Sequence, residues 1–173
     1  MGLMAAFFLA HIAGHSLQST WTYFTMLKFE WDETMVGYSL AIVGVLVAIV
    51  QAGLIKHVVR WLGQRKTVFV GFVLYTVGMF LFAFAPTALI LLLCLVPYCL
   101  GGIAGPTVQG IVSNSVPETE QGELQGAMTS LISISSIIGP LLMTGVFYYF
   151  TKDDAPFYFP GAPFFVGGIL FIL

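Results

Sequence analysis

Two histidines, His11 and His15, lie four residues apart in a stretch that is otherwise largely apolar. Residues at this spacing share one face of a helix, and Gln18 and Thr22 continue the same polar stripe, with Trp21 on its flank. Because histidine gains or loses a proton near neutral pH, the stripe predicts a surface that contacts substrate or carries protons. Two neutral histidines hydrogen-bonded to neighbouring helices would give the same pattern, so both interpretations stay open at this point.

Three glutamines, Gln51, Gln109 and Gln125, are further candidates for the lining of a substrate path. Gln109 follows Pro106, and a proline within a helix leaves one backbone carbonyl without its usual hydrogen bond. Broken or kinked helices near the middle of the bilayer often form the binding sites of transporters. An amide that links two helices would explain Gln109 equally well.

The composition shows what surrounds these side chains. Of the 173 residues, 58% are hydrophobic and 8% are charged, whereas about a quarter of the residues in a soluble domain are charged. So few charges cannot cover the surface of a water-soluble protein of this size, and the sequence therefore predicts a protein that faces lipid. The net charge is −2 and no basic patch is interleaved with aromatic residues, so we expect no nucleic-acid partner.

The charged residues are confined to short segments between long uncharged ones, and a helix needs about 20 apolar residues to cross a bilayer. This pattern predicts an all-α membrane bundle without a domain boundary, with five complete spans and a truncated sixth. We expect the prolines and many glycines of these spans to kink the helices and to let them approach closely. The predicted spans are residues 3–27, 35–55, 67–85, 88–112, 124–150 and 162–173.

The basic residues predict the orientation of the chain. Four of the six lie in one connection, "KHVVRWLGQRK", residues 56–66. Loops rich in lysine and arginine stay in the cytoplasm, so this connection and the N-terminus of the chain are expected on the cytoplasmic side. The connections at residues 28–34 and 152–161 then lie outside, and the acidic connection at residues 113–123 returns to the cytoplasm.

Signatures of an enzyme or of a metal protein are missing from the sequence. There is no Gly-x-Ser-x-Gly motif, no pair of carboxylates within a predicted span, and no phosphate-binding glycine loop followed by Lys-Ser or Lys-Thr. Zinc would need at least a third ligand beside His11 and His15, and His57 lies in a loop. We therefore expect no enzyme activity, no metal and no cofactor, and we expect an ion gradient to drive any uphill transport.

Several stretches carry a family resemblance. "GLIKHVVRWLGQRKTVFVGFVLYTVGMFLFAFA" (residues 53–85) resembles the basic loop and the following span of major facilitator transporters. "QGELQGAMTSL" (residues 121–131) and "IIGPLLMT" (residues 137–144), together with "FPGAPFFVGGILFIL" (residues 159–173), are similar to the C-terminal half of tetracycline/proton antiporters. The resemblance covers the chain from about Phe7 onward.

This resemblance implies a transporter with twelve helices in two six-helix halves that works by alternating access. The chain would supply the seventh to eleventh helices and part of the twelfth. The resemblance also implies that Gln109 lines the central cavity, and that His11 and His15 stand where the antiporters carry glutamines in their seventh helix.

The basic loop and the ninth helix combine a match with departures from the family pattern. Gly63 and the basic residues Arg65 and Lys66 match a cytoplasmic loop of the family. The resemblance implies that this loop helps to hold the two halves of the transporter together in one state. Arg60 stands where that loop often has an aspartate. Tyr75 stands where tetracycline antiporters carry an aspartate in the ninth helix, and the eighth helix here lacks their histidine.

The predicted function is secondary active transport, in the form of proton-coupled efflux of small organic molecules or drugs across a bacterial inner membrane. The expected partners are the lipid bilayer, a small organic substrate, and either the N-terminal six-helix half of the same transporter or a second copy of this chain. Two alternatives stay open: a transporter of another solute, such as a sugar or a metabolite, on the same scaffold, and a membrane scaffold or receptor that does not transport.

Overall fold

The fold is a bundle of helices. The computed structural model describes residues 2–172; 86% of the chain is helical, and the described part contains no strand, which confirms the predicted all-α class. A π-helical segment, Val50–Leu54, joins the second helix to the third, and a short 3-10 turn, Glu118–Glu120, precedes the seventh. In chain order the helices are α1 (Gly2–Phe29), α2 (Glu33–Ile49), α3 (Ile55–Leu62), α4 (Gln64–Phe84), α5 (Ala88–Gly101), α6 (Ala104–Ser113), α7 (Gln121–Thr151) and α8 (Ala162–Ile172).

Local sequence explains where several helices begin and end. The side chain of Asp32 accepts a hydrogen bond from the backbone N–H of Met35 at 2.8 Å and caps the start of α2. The hydroxyl of Thr87 does the same for α5. Between α3 and α4, Gly63 has a φ of 77°, a conformation that favours glycine, so the chain turns sharply at this residue.

Four helical segments are long and apolar enough to cross a membrane: Glu33–Leu62, Gln64–Phe84, Ala88–Ser113 and Glu118–Thr151. α1 has 28 residues, but its histidines, glutamine and hydroxyl side chains make it less apolar than these four. α8 is apolar but has only 11 residues within the described part of the chain. Each of the six predicted spans overlaps one of these helices, and the limits of the spans stay predictions.

Two of the long helical segments depart from regular α-helical geometry, one by a break and the other by a wider turn. Between α5 and α6, the N–H of Gly102 donates to the carbonyl of Cys99 at 3.0 Å, which tightens one turn and ends α5. Pro106 then lies in the first turn of α6, so the break precedes this proline. Between α2 and α3, the N–H of Ile55 donates to the carbonyl of Val50 five residues back, which widens the helix.

The core lies where the second half of α1 meets α4, α5 and α8. Trp21, Phe24, Phe82 and Phe164 are almost completely buried there. Their rings meet edge to face, with centroids 5.4 Å apart for Trp21 and Phe82 and 4.9 Å apart for Phe24 and Phe164. Such aromatic pairs prefer this geometry, and together they fix the position of α1 in the bundle.

Candidate functional site

A cavity of 310 Å³ opens beside the first half of α1. Six helices, α1, α4, α5, α6, α7 and α8, contribute side chains to its wall, so it does not belong to a single helix pair. The lining residues are Phe7, Ala10, His11, Gly14, His15, Gln18, Phe72, Tyr75, Tyr98, Gly105, Val108, Ile132, Ser136 and Phe171. Three polar residues of the predicted stripe, His11, His15 and Gln18, are therefore brought together at one cavity.

The ring of His11 is held by its own helix. Its Nδ1 lies 2.8 Å from the carbonyl oxygen of Phe7, and because a carbonyl only accepts, Nδ1 carries the hydrogen. The ring also packs against the ring of Phe7, with centroids 4.2 Å apart. In the neutral form of His11, Nε2 is therefore the free acceptor, and it is the atom available to a proton or a hydrogen-bond donor.

The ring of His15 is held by packing instead of a hydrogen bond. Among the described residues, no hydrogen-bond partner is found for either ring nitrogen of His15. The ring lies against Gly139 of α7, where a built Cβ would stand 2.7 Å from the Cγ atom of His15. No real Cβ fits at that distance, so the histidine ring occupies the space that glycine leaves, and its nitrogens stay available to the cavity.

The opposite wall of the cavity is aromatic. The rings of Tyr75 and Tyr98 meet edge to face at 5.1 Å, and Tyr75 stacks on Phe171 at 4.9 Å with an angle of 6° between the rings. Both tyrosines pack against glycines: a Cβ at Gly78 would come within 2.8 Å of Tyr98, and one at Gly101 within 2.8 Å of Tyr75. Close contact between α4 and α5 therefore positions this wall.

The chemistry of the cavity is that of a mostly apolar site with a few polar groups. No Asp, Glu, Lys or Arg lines it, and its ionisable side chains are two histidines and two tyrosines. Pockets of this kind suit ligands with flat apolar surfaces and a few hydrogen-bonding groups. Within residues 2–172, no group of three or more His, Cys, Asp or Glu side chains is placed to hold a metal ion.

Trp21 and Thr22 do not line this cavity. Trp21 is 1% exposed and belongs to the aromatic core, where its Nε1–H donates to the hydroxyl of Ser39 at 2.9 Å. Thr22 is exposed on the outside of α1. The polar stripe therefore reaches the cavity only as far as Gln18; Thr22, the next residue of the stripe, is exposed outside the lining, and packed rings cover only the flank at Trp21.

The three other predicted glutamines also lie away from the cavity. Gln51 is exposed in the π-helical segment, Gln109 is exposed on α6, and Gln125 is exposed near the start of α7. On α6 the residues that reach the cavity are Gly105 and Val108, so Gln109 is turned to another side of the same helix. The resemblance places Gln109 in the central cavity between two six-helix halves, and that position stays a prediction.

Sequence reasoning gave no cavity role to Tyr75, Tyr98 and Ser136. One feature of the sequence did point to Tyr75 as a possible site residue, because it stands at the position where the resemblance expects a membrane aspartate. The other two could be found only from the packing: Tyr98 lies within an apolar helix, and Ser136 is one of several hydroxyl residues on α7. The hydroxyl of Ser136 donates to the carbonyl of Ile132 at 2.8 Å.

The basic connection lies outside the cavity wall. Arg60 lies in the last turn of α3, Gly63 forms the turn, and Arg65 and Lys66 lie in the first turn of α4. All four are exposed, and none of them lines the cavity. The latch role that the resemblance implies for Gly63, Arg65 and Lys66 stays a prediction.

Comparisons with known proteins agree with this architecture. The family model of the Major Facilitator Superfamily matches residues 3–173. The chain is 31% identical over 170 residues to the tetracycline resistance protein, class H, of Pasteurella multocida, which covers 98% of this chain and 41% of that protein. It is 36% identical over 141 residues to the class E protein of Escherichia coli, which covers 82% of this chain and 35% of that protein.

A third relative is the tetracycline resistance protein, class G, of Vibrio anguillarum, 35% identical over 145 residues, 84% of this chain and 37% of the relative. The chain thus spans about two fifths of the length of the curated relatives it matches. The apolar helices and these relatives make it part of an integral, multi-pass membrane protein. A family match over nearly every residue, together with the helical bundle, shows that the chain belongs to the Major Facilitator Superfamily.

Proposed function

We propose that this chain forms one half of a secondary active transporter that exports small organic molecules in exchange for protons. The observation that carries the proposal is the cavity on α1, where His11, His15 and Gln18 face an aromatic wall. Its support is the similarity to tetracycline resistance proteins at 31–36% identity. A tetracycline-like molecule, flat and with several polar groups, has the chemistry that this cavity suits.

In the proposed mechanism, the proton and the substrate compete for binding in one cavity. Neutral His11 offers Nε2 as an acceptor, whereas protonated His11 can only donate. His15 changes in the same way, and its ring nitrogens are not tied to other side chains of the described part. Proton binding therefore changes the hydrogen bonds available to a substrate, and an exchange of proton for substrate follows from that change.

The second half of the transporter is the partner that this proposal requires. The side of α7 that carries Ile134, Ile137 and Leu141 is exposed in this chain, and an N-terminal six-helix half would cover such a face. A second copy of the chain is the alternative partner. We place the protein in a bacterial inner membrane, with the N-terminus of this segment and the basic connection in the cytoplasm, following the positive-inside rule.

Transport in everted membrane vesicles that contain the full-length protein tests the proposal. With a proton gradient, we expect tetracycline uptake into the vesicles, and we expect His15→Gln and His11→Gln to remove its dependence on pH. Tyr23→Phe is the matched control, because Tyr23 lies on α1 but is 60% exposed and outside the cavity lining. Unchanged pH-driven uptake in both histidine variants would remove the proposed proton role.

The same vesicles separate the proposal from its alternatives. A panel that includes a tetracycline, a sugar and a small organic acid is offered at equal concentrations. Flux of the sugar or the acid without the tetracycline would identify a transporter of another solute. No flux of any solute, in vesicles whose protein is folded and inserted, would favour a scaffold or receptor.

A further inference from the structure

A second apolar space lies on the outside of the bundle, between the end of α2 and the middle of α5. This α2–α5 groove has a volume of 390 Å³ and shares no lining residue with the cavity described above. Leu46, Ile49 and Gly53 form one wall, and Val96 and Leu100 form the other. Its surface is almost entirely aliphatic, so it suits a hydrocarbon chain and not a polar solute.

The backbone builds this groove. In the π-helical segment the N–H of Ile55 donates to the carbonyl of Val50, five residues back, and the helix is wider at this point. Gly53 lies within that segment, and a Cβ built there would meet no atom within 4 Å. The groove is thus open because of the helix geometry and a missing side chain. Single π-helical turns inside α-helices are frequent at functional sites.

The basic side chains of α3 lie next to the end of the groove that His57 lines. His57 lines the groove, and its Nδ1–H donates to the carbonyl of Gly53 at 3.0 Å, which leaves Nε2 free. Lys56 precedes it, and Arg60 lies four residues after Lys56 on the same helix face. Both side chains are exposed, and the ion pair found among the described residues, Lys152 with Asp154, involves neither.

The length of the helix sets the depth of these residues. Glu33–Leu62 is a continuous helical segment of 30 residues, whereas roughly 20 residues cross the hydrocarbon core of a bilayer. Its last turns therefore lie at the level of the lipid headgroups. Trp61, next to Arg60, is 88% exposed, and tryptophan is enriched at this level of membrane proteins.

We propose that the α2–α5 groove is a binding site for an anionic phospholipid. One acyl chain lies in the groove, and the headgroup phosphate is bound by Lys56 and Arg60. A free phosphate would satisfy the cations but leave the groove empty, and a zwitterionic phospholipid would fill the groove but bring a positively charged headgroup amine to the same cations. An anionic phospholipid matches both features at once. This site is independent of the proposed transport function.

Spin-labelled lipids test the site in nanodiscs of phosphatidylcholine that contain the purified protein. We expect spin-labelled phosphatidylglycerol to show an immobilised fraction that exceeds that of spin-labelled phosphatidylcholine. Lys56→Gln combined with Arg60→Gln removes two charges, and each removal is expected to lower the preference about fivefold. Gly53→Phe keeps every charge but fills the groove, and we expect it to remove the immobilised fraction.

Arg65→Gln combined with Lys66→Gln is the matched control, because it removes the same charge from the same connection beyond Gly63. An equal loss in this control and in the Lys56/Arg60 variant would mean diffuse attraction to the basic loop and would overturn the proposal. Equal immobilisation of both lipids in the unchanged protein, or full immobilisation in Gly53→Phe, would also overturn it. Disulfide-linked dimers of Gly53→Cys in place of lipid binding would identify a second copy as the occupant. Circular dichroism checks that each variant keeps its helical content.

Discussion

The two halves of α1 belong to one helix but differ in what surrounds their side chains. Between Ala10 and Gln18 the helix faces open space, and its histidines keep ring nitrogens available to the cavity. Farther along the same helix, Trp21 and Phe24 are buried against rings from α4 and α8, whereas the opposite side, with Thr22 and Tyr23, is exposed. The polar stripe of this helix therefore becomes a site only where the neighbouring helices leave room. The packed half of α1 holds the open half in place.

The largest effect is expected from Trp21→Ala in the packed half. Loss of this buried ring leaves a cavity among Phe82 and Phe164 and should cost about 3–5 kcal/mol of unfolding free energy. Equilibrium unfolding in detergent micelles measures the difference. Trp61→Ala is the matched control, since Trp61 is 88% exposed and its removal should change stability by less than about 0.5 kcal/mol. Similar losses for both tryptophans would contradict the division of α1 into two halves.

The next effect is expected from Gly139→Ala on α7, beside the open half of α1. The new methyl group collides with the ring of His15, so the ring must move within the cavity. Overpacking should cost about 1–3 kcal/mol of unfolding free energy, and a displaced functional ring should slow transport about 10- to 100-fold. Transport assays of the full-length protein and unfolding measurements report the two effects.

Gly145→Ala provides the comparison on the same helix, because a Cβ at Gly145 would meet nothing within 4 Å. We expect transport and stability near those of the unchanged protein. If Gly139→Ala transports as well as Gly145→Ala, the contact between α7 and His15 has no part in function.

A smaller effect is expected from Ser39→Ala. This substitution removes the acceptor of the Trp21 indole N–H, which is buried, and should cost about 1–2 kcal/mol of unfolding free energy. Ser133→Ala is the control, because its exposed hydroxyl donates only to the carbonyl of Thr129 on its own helix. Equal stability of Ser39→Ala and the unchanged protein would show that ring packing alone holds Trp21.

The smallest effect is expected at the surface connection that leads to the packed half. Lys152 Nζ donates to Asp154 Oδ2 at 3.0 Å and thereby lowers the pKa of the Asp154 carboxyl. Because the pKa of Asp154 is lower in the folded state, its ionised carboxylate stabilises the fold at pH values above the unfolded-state pKa of about 3.9. This contribution to stability is lost as the pH falls through the folded-state pKa.

Because both groups are exposed, we expect Asp154→Asn to lower Tm by less than about 2 °C at pH 6 and to leave it unchanged at pH 2. Thermal unfolding at the two pH values measures this. A difference that is larger at pH 2 than at pH 6 would show that the pair acts in the opposite direction.

Much of the fold could be predicted from the sequence. The low content of charged residues required a lipid-facing protein, and the charge-free stretches correspond to the helices of the bundle. The caps at Asp32 and Thr87 and the turn at Gly63 follow from local chemistry. The π-helical segment gave no such signal, because the sequence around Gly53 reads as an ordinary apolar helix, and its wider turn depends on how α2 packs against α5.

The candidate site could be predicted only in part, because helical periodicity fixes a face but not what covers it. His11, His15 and Gln18 share a face by their spacing, and this much follows from the sequence. Tyr75, Tyr98, Gly139 and Phe171 join them from positions more than 50 residues away along the chain, and no local pattern connects such residues.

The sequence by itself determined that this chain is a membrane bundle of helices with a histidine-bearing stripe, because composition and a 3.6-residue period are local properties. Only the tertiary structure decided that the stripe lines a cavity from His11 to Gln18 and that Trp21, on its flank, is buried in the core. That decision depends on Phe82 and Phe164 filling one end of α1 while Gly139 leaves space at the other, and space between helices is set by residues distant in sequence.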